Sequence, residues 1–165
     1  MSIVEIKSSA TTLVDVEDNS TESLSDKLNV LLANYSIFHQ NVRGYHWNLR
    51  GANFFELHEK FEKLYERLYT KMDEIAERIL TIGYQADHNF STYISESLID
   101  EKINVSDGIV ASKDILSSLK VLITLQKDIL YYADELGDEG TYHLMSDAIK
   151  EQEKLVWMYS AYLGK

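Results

Sequence analysis

The sequence contains neither cysteine nor proline, and basic residues are scarce beside acidic ones. The lack of cysteine excludes disulfides, thiolate zinc sites and a cysteine nucleophile, and it leaves the cellular compartment open. Average usage would give about eight prolines in a chain of this length, so their absence favours long uninterrupted helices. The 16 basic and 27 acidic residues give a net charge of −11, which opposes non-specific attraction to nucleic acid and suits cations as partners.

Targeting and membrane features are also missing. The N-terminus has no basic segment followed by an apolar run, and no stretch approaches the length of a membrane span. We therefore expect no membrane association and a cytoplasmic location. The length predicts one domain, residues 23–165, after a mobile tail, residues 1–22, which is rich in Ser, Thr and acidic side chains.

Apolar residues recur at steps of three and four over four segments, which predicts four helices. The first helix is expected to begin at a cap, Ser23 or Ser25, and to end at Gly51. The second is expected between a cap at Asn53 and a stop at Gly83.

A polar segment, residues 84–106, separates the second and third helices and contains a short amphipathic piece at 92–99. A helix of about thirty residues is roughly 45 Å long, a distance that some twenty linker residues can span. The third helix is expected from about Gly108 to Leu136, and a tight turn at 137–141 leads to the fourth. We therefore predict an all-α four-helix bundle in which one long crossover makes helices two and three parallel.

Potential metal ligands lie along one face of the predicted second helix, beside its apolar residues. His58 and Glu62 share one helical face, as do Asp73 and Glu77, because each pair is four residues apart. Positions 58 and 77 lie about 28 Å apart on one helix, so both pairs cannot reach one ion within a single chain. A second chain lying antiparallel across a two-fold axis would unite them and create two identical sites per dimer.

Imidazole and carboxylate form a mixed ligand set that suits iron, zinc or manganese, whereas calcium and magnesium prefer oxygen alone. Acidic pairs at this spacing are also common on solvated helix faces, and a lone histidine is more often structural. The helix-borne Glu-x-x-His of di-iron bundles is missing, since Glu56 and His58 have the wrong spacing. An intrachain di-iron core is therefore disfavoured.

Several motifs closely resemble the signature of the Dps family, the mini-ferritins. They are His46-Trp47-Asn48, Arg50-Gly51, Asn53-Phe54, His58-Glu59 and Asp73-Glu74-Ile75-Ala76-Glu77-Arg78. The resemblance covers about residues 24–165 and includes the turn at 137–141. It implies a ferritin-like four-helix bundle with a short extra helix in the crossover, assembled as a hollow homo-dodecamer.

The resemblance also implies an activity. Fe(II) would be oxidised, preferentially by hydrogen peroxide, and stored as ferric oxyhydroxide, which protects against oxidative damage. By this resemblance His46, His58 and Glu62 come from one subunit, and Asp73 and Glu77 come from its two-fold mate.

Two further features follow from the resemblance. Trp47 would lie beside the iron site, either as an electron donor that limits radical escape or as a core aromatic. Iron would enter through acidic three-fold pores, where Asp134, Asp138 and Glu139 match in character. His143 stands where the family usually has an acid, so a plain surface role is equally open.

DNA binding in this family usually depends on Lys- or Arg-rich tails that neutralise phosphates. Here Lys7 is the only base in residues 1–22, and the chain ends at Lys165 without a basic extension. We therefore predict no appreciable DNA binding at physiological salt. The alternatives are a nucleoid-compacting DNA-binding protein and a non-catalytic helical interaction module.

Overall fold

Five helices form the regular structure of residues 11–165, the part of the chain that the structure describes. A computed structural model describes the backbone of residues 11–165 and the side chains from residue 20 onward. In order, the helices are α1 (Thr11–Asn48), α2 (Phe54–Thr81), α3 (Phe90–Glu96), α4 (Gly108–Leu136) and α5 (Glu139–Tyr162). The predicted all-α bundle with a short extra helix in the crossover is confirmed. Within this described part, no helix is both long and apolar enough to cross a membrane.

Helix α1 begins earlier than the sequence predicted. Residues 11–22 belong to the helix rather than to the predicted tail, and Ser23 and Ser25 lie inside it instead of capping it. The polar composition of residues 11–22 does not prevent a helix, because α1 contains no proline and Gly44 is its single glycine. Residues 1–10, the rest of the predicted tail, lie outside the described residues.

Contacts between helices establish their directions. Tyr45, near the end of α1, meets Asp114 near the start of α4 at 3.5 Å, whereas Lys27, further back along α1, meets Asp128 at 2.6 Å. Helix α4 therefore runs antiparallel to α1. Helix α2 also returns along α1 after the turn at 49–53, so α2 and α4 are parallel, as the long crossover requires.

The crossover, residues 82–107, is held along α1 by asparagine side chains. Asn29, Asn34 and Asn41 each accept a backbone N–H of the crossover at 2.9 Å. At its end, the N–H of Arg50 donates to the carbonyl oxygen of Ser106 at 3.0 Å. Because Asn34 and Asn41 are buried, these bonds satisfy polar groups that would otherwise be costly to remove from water.

The core lies between the four long helices. Its largest fully buried side chains include Tyr35, Phe38 and Phe61. Helix α5 packs against α4 and is also tied to α2, where Arg78 forms an ion pair with Asp138 beside the first turn of α5. This packing leaves the face of α2 that carries Glu62, Asp73 and Glu77 at least partly open to solvent in the single chain, whereas His46 on α1 is buried.

Candidate metal centre

Two histidines of the predicted ligand set lie face to face where the end of α1 meets the start of α2. The ring centroids of His46 and His58 are 3.7 Å apart, and their planes are inclined by 18°. The Nδ1–H of His46 donates to the carbonyl oxygen of His58 at 2.8 Å, and the Nδ1–H of His58 donates to the carbonyl oxygen of His46 at 3.0 Å. Since a carbonyl oxygen only accepts, each Nδ1 carries a proton, and in the neutral imidazole this leaves the lone pair on Nε2, where it is available to a metal ion.

The two histidines differ in how deeply they are buried. His46 is buried, whereas His58 and Glu62 are half-buried. Tyr65 packs its ring against His46, with centroids 5.4 Å apart and planes at 73°. Glu62 lies one turn after His58 on α2. One chain therefore brings two imidazoles together, with the Glu62 carboxylate one helical turn further along α2, and these donor types suit Fe(II) and similar ions.

The other two predicted ligands are far from this pair. Asp73 and Glu77 are exposed on α2, and α2 is a single helix without glycine or proline. The distance from His58 to Asp73 is therefore about 22 Å along the helix axis. Among the described residues, no group of three His, Asp or Glu side chains could hold an ion within one chain. The structure brings together His46 and His58 but not Asp73 or Glu77.

The turn before α2 fixes where His58 lies. Gly51 and Asn53 have positive φ angles of 95° and 62°, which suit glycine and asparagine. Asn53 is the N-cap of α2, as predicted, and its carbonyl oxygen accepts the N–H of Leu57 at 2.9 Å, but its side chain makes no capping bond. Gly108, the first residue of α4, packs so closely against Leu57 that a Cβ there would collide with its side chain.

Trp47 is not a core residue. Its side chain is 58% exposed and lies beneath the guanidinium of Arg43, 4.7 Å from the ring centre, in a cation–π contact. The core alternative from the sequence is therefore wrong. Trp47 lines an open groove between α1 and α2 together with His39 and Tyr69. Burial and the nearby Arg43 lower the pKa of His39. An electron-donor role for Trp47 stays a prediction.

Among the predicted pore residues, Asp138 already has several partners. Its carboxylate accepts the backbone N–H of Thr141 at 3.1 Å and the Thr141 hydroxyl at 2.7 Å, and it pairs with Arg78. Partial burial opposes ionisation of Asp138, but the bonds from Thr141 and the charge of Arg78 outweigh it and lower the pKa. In this chain Asp138 thus caps α5 and joins it to α2.

The remaining pore candidates, Asp134, Glu139 and His143, are exposed. The Nε2 atom of His143 lies 3.4 Å from a carboxylate oxygen of Glu139, one turn earlier on α5. Their part in a three-fold pore stays a prediction.

The centre of the bundle contains a neutral polar cluster that the sequence did not suggest. The hydroxyl of Tyr35 donates to Gln126 at 2.8 Å, Gln126 donates to Gln152 at 2.7 Å, and Gln152 donates back to Tyr35 at 2.5 Å. No Asp or Glu side chain of the described residues is buried. Among the described residues, the bundle interior therefore lacks the carboxylates that an intrachain di-iron core would need.

Comparisons with known proteins agree with this architecture. The family model of the ferritin-like domain matches residues 25–165. An uncharacterized protein of Haemophilus influenzae is 49% identical over 150 residues, covering 91% of this chain and 94% of the relative. The DNA protection during starvation protein of Porphyromonas gingivalis is 41% identical over 138 residues, covering 84% of this chain and 87% of the relative.

A solved structure gives the same result. The Dps protein from Vibrio cholerae O1 superposes with a TM-score of 0.87 at 49% sequence identity, covering 88% of this chain and 91% of that chain. That protein is described as a member of a broad superfamily of ferritin-like diiron-carboxylate proteins. The bundle and the matched domain define a ferritin-like protein. Within that class, the chain belongs to the Dps family. Membership in this family supports a role in iron storage in general.

Proposed function

We propose that this protein is a ferroxidase and iron store, assembled from copies of the chain as a hollow dodecamer. The observation that carries the proposal is the reciprocal bonding of His46 and His58, which reserves both Nε2 atoms for a metal. Family membership adds the expectation that the metal is iron.

Each half of the proposed site comes from a different subunit. Helix α2 is unbroken from Phe54 to Thr81, so Asp73 and Glu77 cannot turn back to their own His58. In an antiparallel pair of α2 helices, the partner's Asp73 and the partner's Glu77 reach the imidazoles instead. An isologous contact of this kind creates two equivalent sites.

The donor types match the proposed reaction. Neutral imidazole nitrogens bind Fe(II) well, and anionic carboxylate oxygens favour the more highly charged ferric product. Hydrogen peroxide accepts two electrons, so one peroxide oxidises a pair of Fe(II) ions, and water supplies the remaining oxygen of the ferric oxyhydroxide. Protons are released to solvent as the ferric oxyhydroxide forms. The reaction removes Fe(II) and peroxide together, which limits hydroxyl-radical formation.

Complementation between two inactive variants tests the shared site. Cages built only from His46→Ala subunits, or only from Asp73→Ala subunits, contain no complete site and should oxidise Fe(II) slowly. A mixed dimer holds one complete site and one that lacks both residues. With equal co-expression and random pairing, about a quarter of the parent sites should reappear, since half of the dimers are mixed.

The controls use side chains of the same type away from the site. His88 in the crossover and Asp147 on α5 are exposed, so His88→Ala and Asp147→Ala should oxidise iron at the parent rate. Light scattering should give one particle mass for all variants. If the mixed cages remain as slow as the two pure variants, the inter-subunit site is wrong.

Stopped-flow absorbance identifies the oxidant. Protein loaded anaerobically with Fe(II) is mixed with hydrogen peroxide in one run and with air-saturated buffer in a parallel run. We expect ferric absorbance to appear fast with peroxide and slowly with dioxygen. If neither run outpaces iron in protein-free buffer, the ferroxidase proposal fails and the helical interaction module becomes the better account.

A further inference from the structure

A column of aromatic rings extends the histidine pair. The ring of Phe54 stacks on His58 with centroids 5.0 Å apart and planes inclined by 21°. His58 in turn stacks on His46, and Tyr65 closes the far end edge-on. His58 is therefore held between two rings, one from the end of α1 and one from its own helix.

His58 needs this restraint more than His46 does. His46 is only 7% exposed, so the surrounding core limits its orientation. His58 is half-buried, and solvent on its open side allows other rotamers. A ring that turned away would lose its bond to the carbonyl oxygen of His46 and would no longer reserve Nε2 for a metal.

The neighbouring phenylalanine has a different environment. Phe54 is the first residue of α2, follows the left-handed Asn53 and packs against the core. Phe55 is 87% exposed and touches Phe54 edge-on, with centroids 5.3 Å apart. The chain thus offers two adjacent phenylalanines of which only Phe54 contacts His58.

We propose that Phe54 is a positioning residue of the iron site, which holds the His58 imidazole in its metal-binding orientation by stacking on the ring face opposite His46. This role rests on the proposed function, because it presumes that His58 binds the metal. Phe54 itself touches neither metal nor oxidant. Its effect is preorganisation: without the stacking ring, a metal ion must first select the correct orientation of His58.

Cobalt binding provides a test that does not depend on turnover. Co²⁺ added to the assembled protein gives a visible absorption band that reports its ligands and is titrated to saturation. In Phe54→Leu, which keeps an apolar side chain but removes the ring, we expect affinity to fall about two- to twelvefold, the range given by the loss of one aromatic pair. The band at saturation should keep its shape, because the ligands are unchanged.

Two further variants separate positioning from general packing. Phe55→Leu should bind Co²⁺ as the parent does, and Phe54→Tyr, which restores a stacking ring, should recover parent affinity. If Phe54→Tyr binds as weakly as Phe54→Leu, the effect is one of packing and the positioning role is wrong. Particle mass and thermal unfolding are measured for every variant.

His58→Ala distinguishes failure of this inference from failure of the proposed function. Weak binding by His58→Ala together with parent affinity in Phe54→Leu would leave the metal site standing and refute the positioning role alone. Parent affinity in His58→Ala would refute both the site and the role of Phe54.

Discussion

The proposed two-fold contact has a definite register along α2. If His58 faces the partner's Glu77 and Glu62 faces the partner's Asp73, the two-fold axis crosses α2 midway between residues 67 and 68. The two metal centres of a dimer then lie near residues 60 and 75 of each helix. Their separation is about 22 Å, from the rise of 1.5 Å per residue.

Two exposed side chains lie next to this axis on the ligand-bearing face of α2. Glu66 follows Glu62 by one turn, and Tyr69, which is 65% exposed, precedes Asp73 by one turn. Both line the open groove beside α1. In the expected register, Glu66 of one subunit faces the partner's Tyr69.

A disulfide between two introduced cysteines can report this register, because the chain has no cysteine of its own. Packed helices have axes about 8 to 10 Å apart and Cα radii of about 2.3 Å, which places facing Cα atoms roughly 3 to 5 Å apart. That range overlaps the separation of about 4.4 to 6.8 Å found in disulfides. A slip of one turn adds about 5.4 Å along the axis, which moves pairs that start about 4.4 Å apart or more to roughly 7 Å, beyond that limit.

Mild oxidation of the Glu66→Cys/Tyr69→Cys double variant should therefore yield covalent dimers on a denaturing gel without reductant. Lys60→Cys/Lys63→Cys is the matched control, since both lysines are exposed and line the groove towards α5 instead. We expect little dimer from the control. If the first variant stays monomeric on the gel while its native mass equals that of the parent, the proposed register is refuted.

Other predictions concern stability and binding. Tyr35→Phe removes a hydroxyl that bonds both Gln126 and Gln152, so denaturant unfolding should show a loss of about 1 to 3 kcal/mol, and an unchanged midpoint would refute the role of this cluster. The pKa of Asp138 is lowered on folding from an ordinary value of 3.8, so its stabilisation is complete above that value and is lost as pH falls through the folded pKa. Arg78→Gln should accordingly lower the melting temperature more at pH 7 than at pH 3, and an equal loss at both pH values would contradict this linkage. In a gel shift at about 0.15 M salt, we expect no DNA complex, and a tight complex there would overturn the argument from the net charge of −11.

The helices were the most predictable part of the molecule, because burial of one face leaves a direct periodic record in the sequence. Along α2, for example, the apolar residues that recur at steps of three and four are buried, as expected, including Leu57, Phe61, Leu64 and Leu68. The start of α1 was missed because the segment is rich in polar residues and was therefore predicted to be a tail. Polar residues do not exclude a helix. Nothing in residues 11–22 terminates a helix.

The crossover was predictable in length but not in its attachment. Asn29, Asn34 and Asn41 bond backbone groups more than fifty residues away. The crossover has no hydrophobic period that would align it with α1, so these partners cannot be paired from sequence alone. The same limit applies to Tyr35 and Gln126, which read as ordinary helix residues until the bundle brings them together.

The site itself was only half predictable, for a related reason. Helical spacing identifies which residues share a face, and it placed His58 with Glu62 and Asp73 with Glu77. It does not reveal that the acceptors for both imidazole Nδ1–H groups are backbone carbonyl oxygens. The stacking of His46 on His58 depends on the angle at which α1 meets α2, which the turn at 49–53 determines.

The unbroken course of α2 links the proposed chemistry to assembly. Because one helix carries the two proposed ligand pairs about 22 Å apart, the proposed site can be completed only between two chains, and no group of three ligands converges within the described residues of one chain. A kink at the middle of α2 would alter the register of the two-fold contact and both sites at once. We therefore expect substitution by proline near position 68, where the buried Leu68 lies close to the axis, to abolish dimerisation and metal binding together. Loss of one without the other would show that the two halves of the site are not joined through this helix.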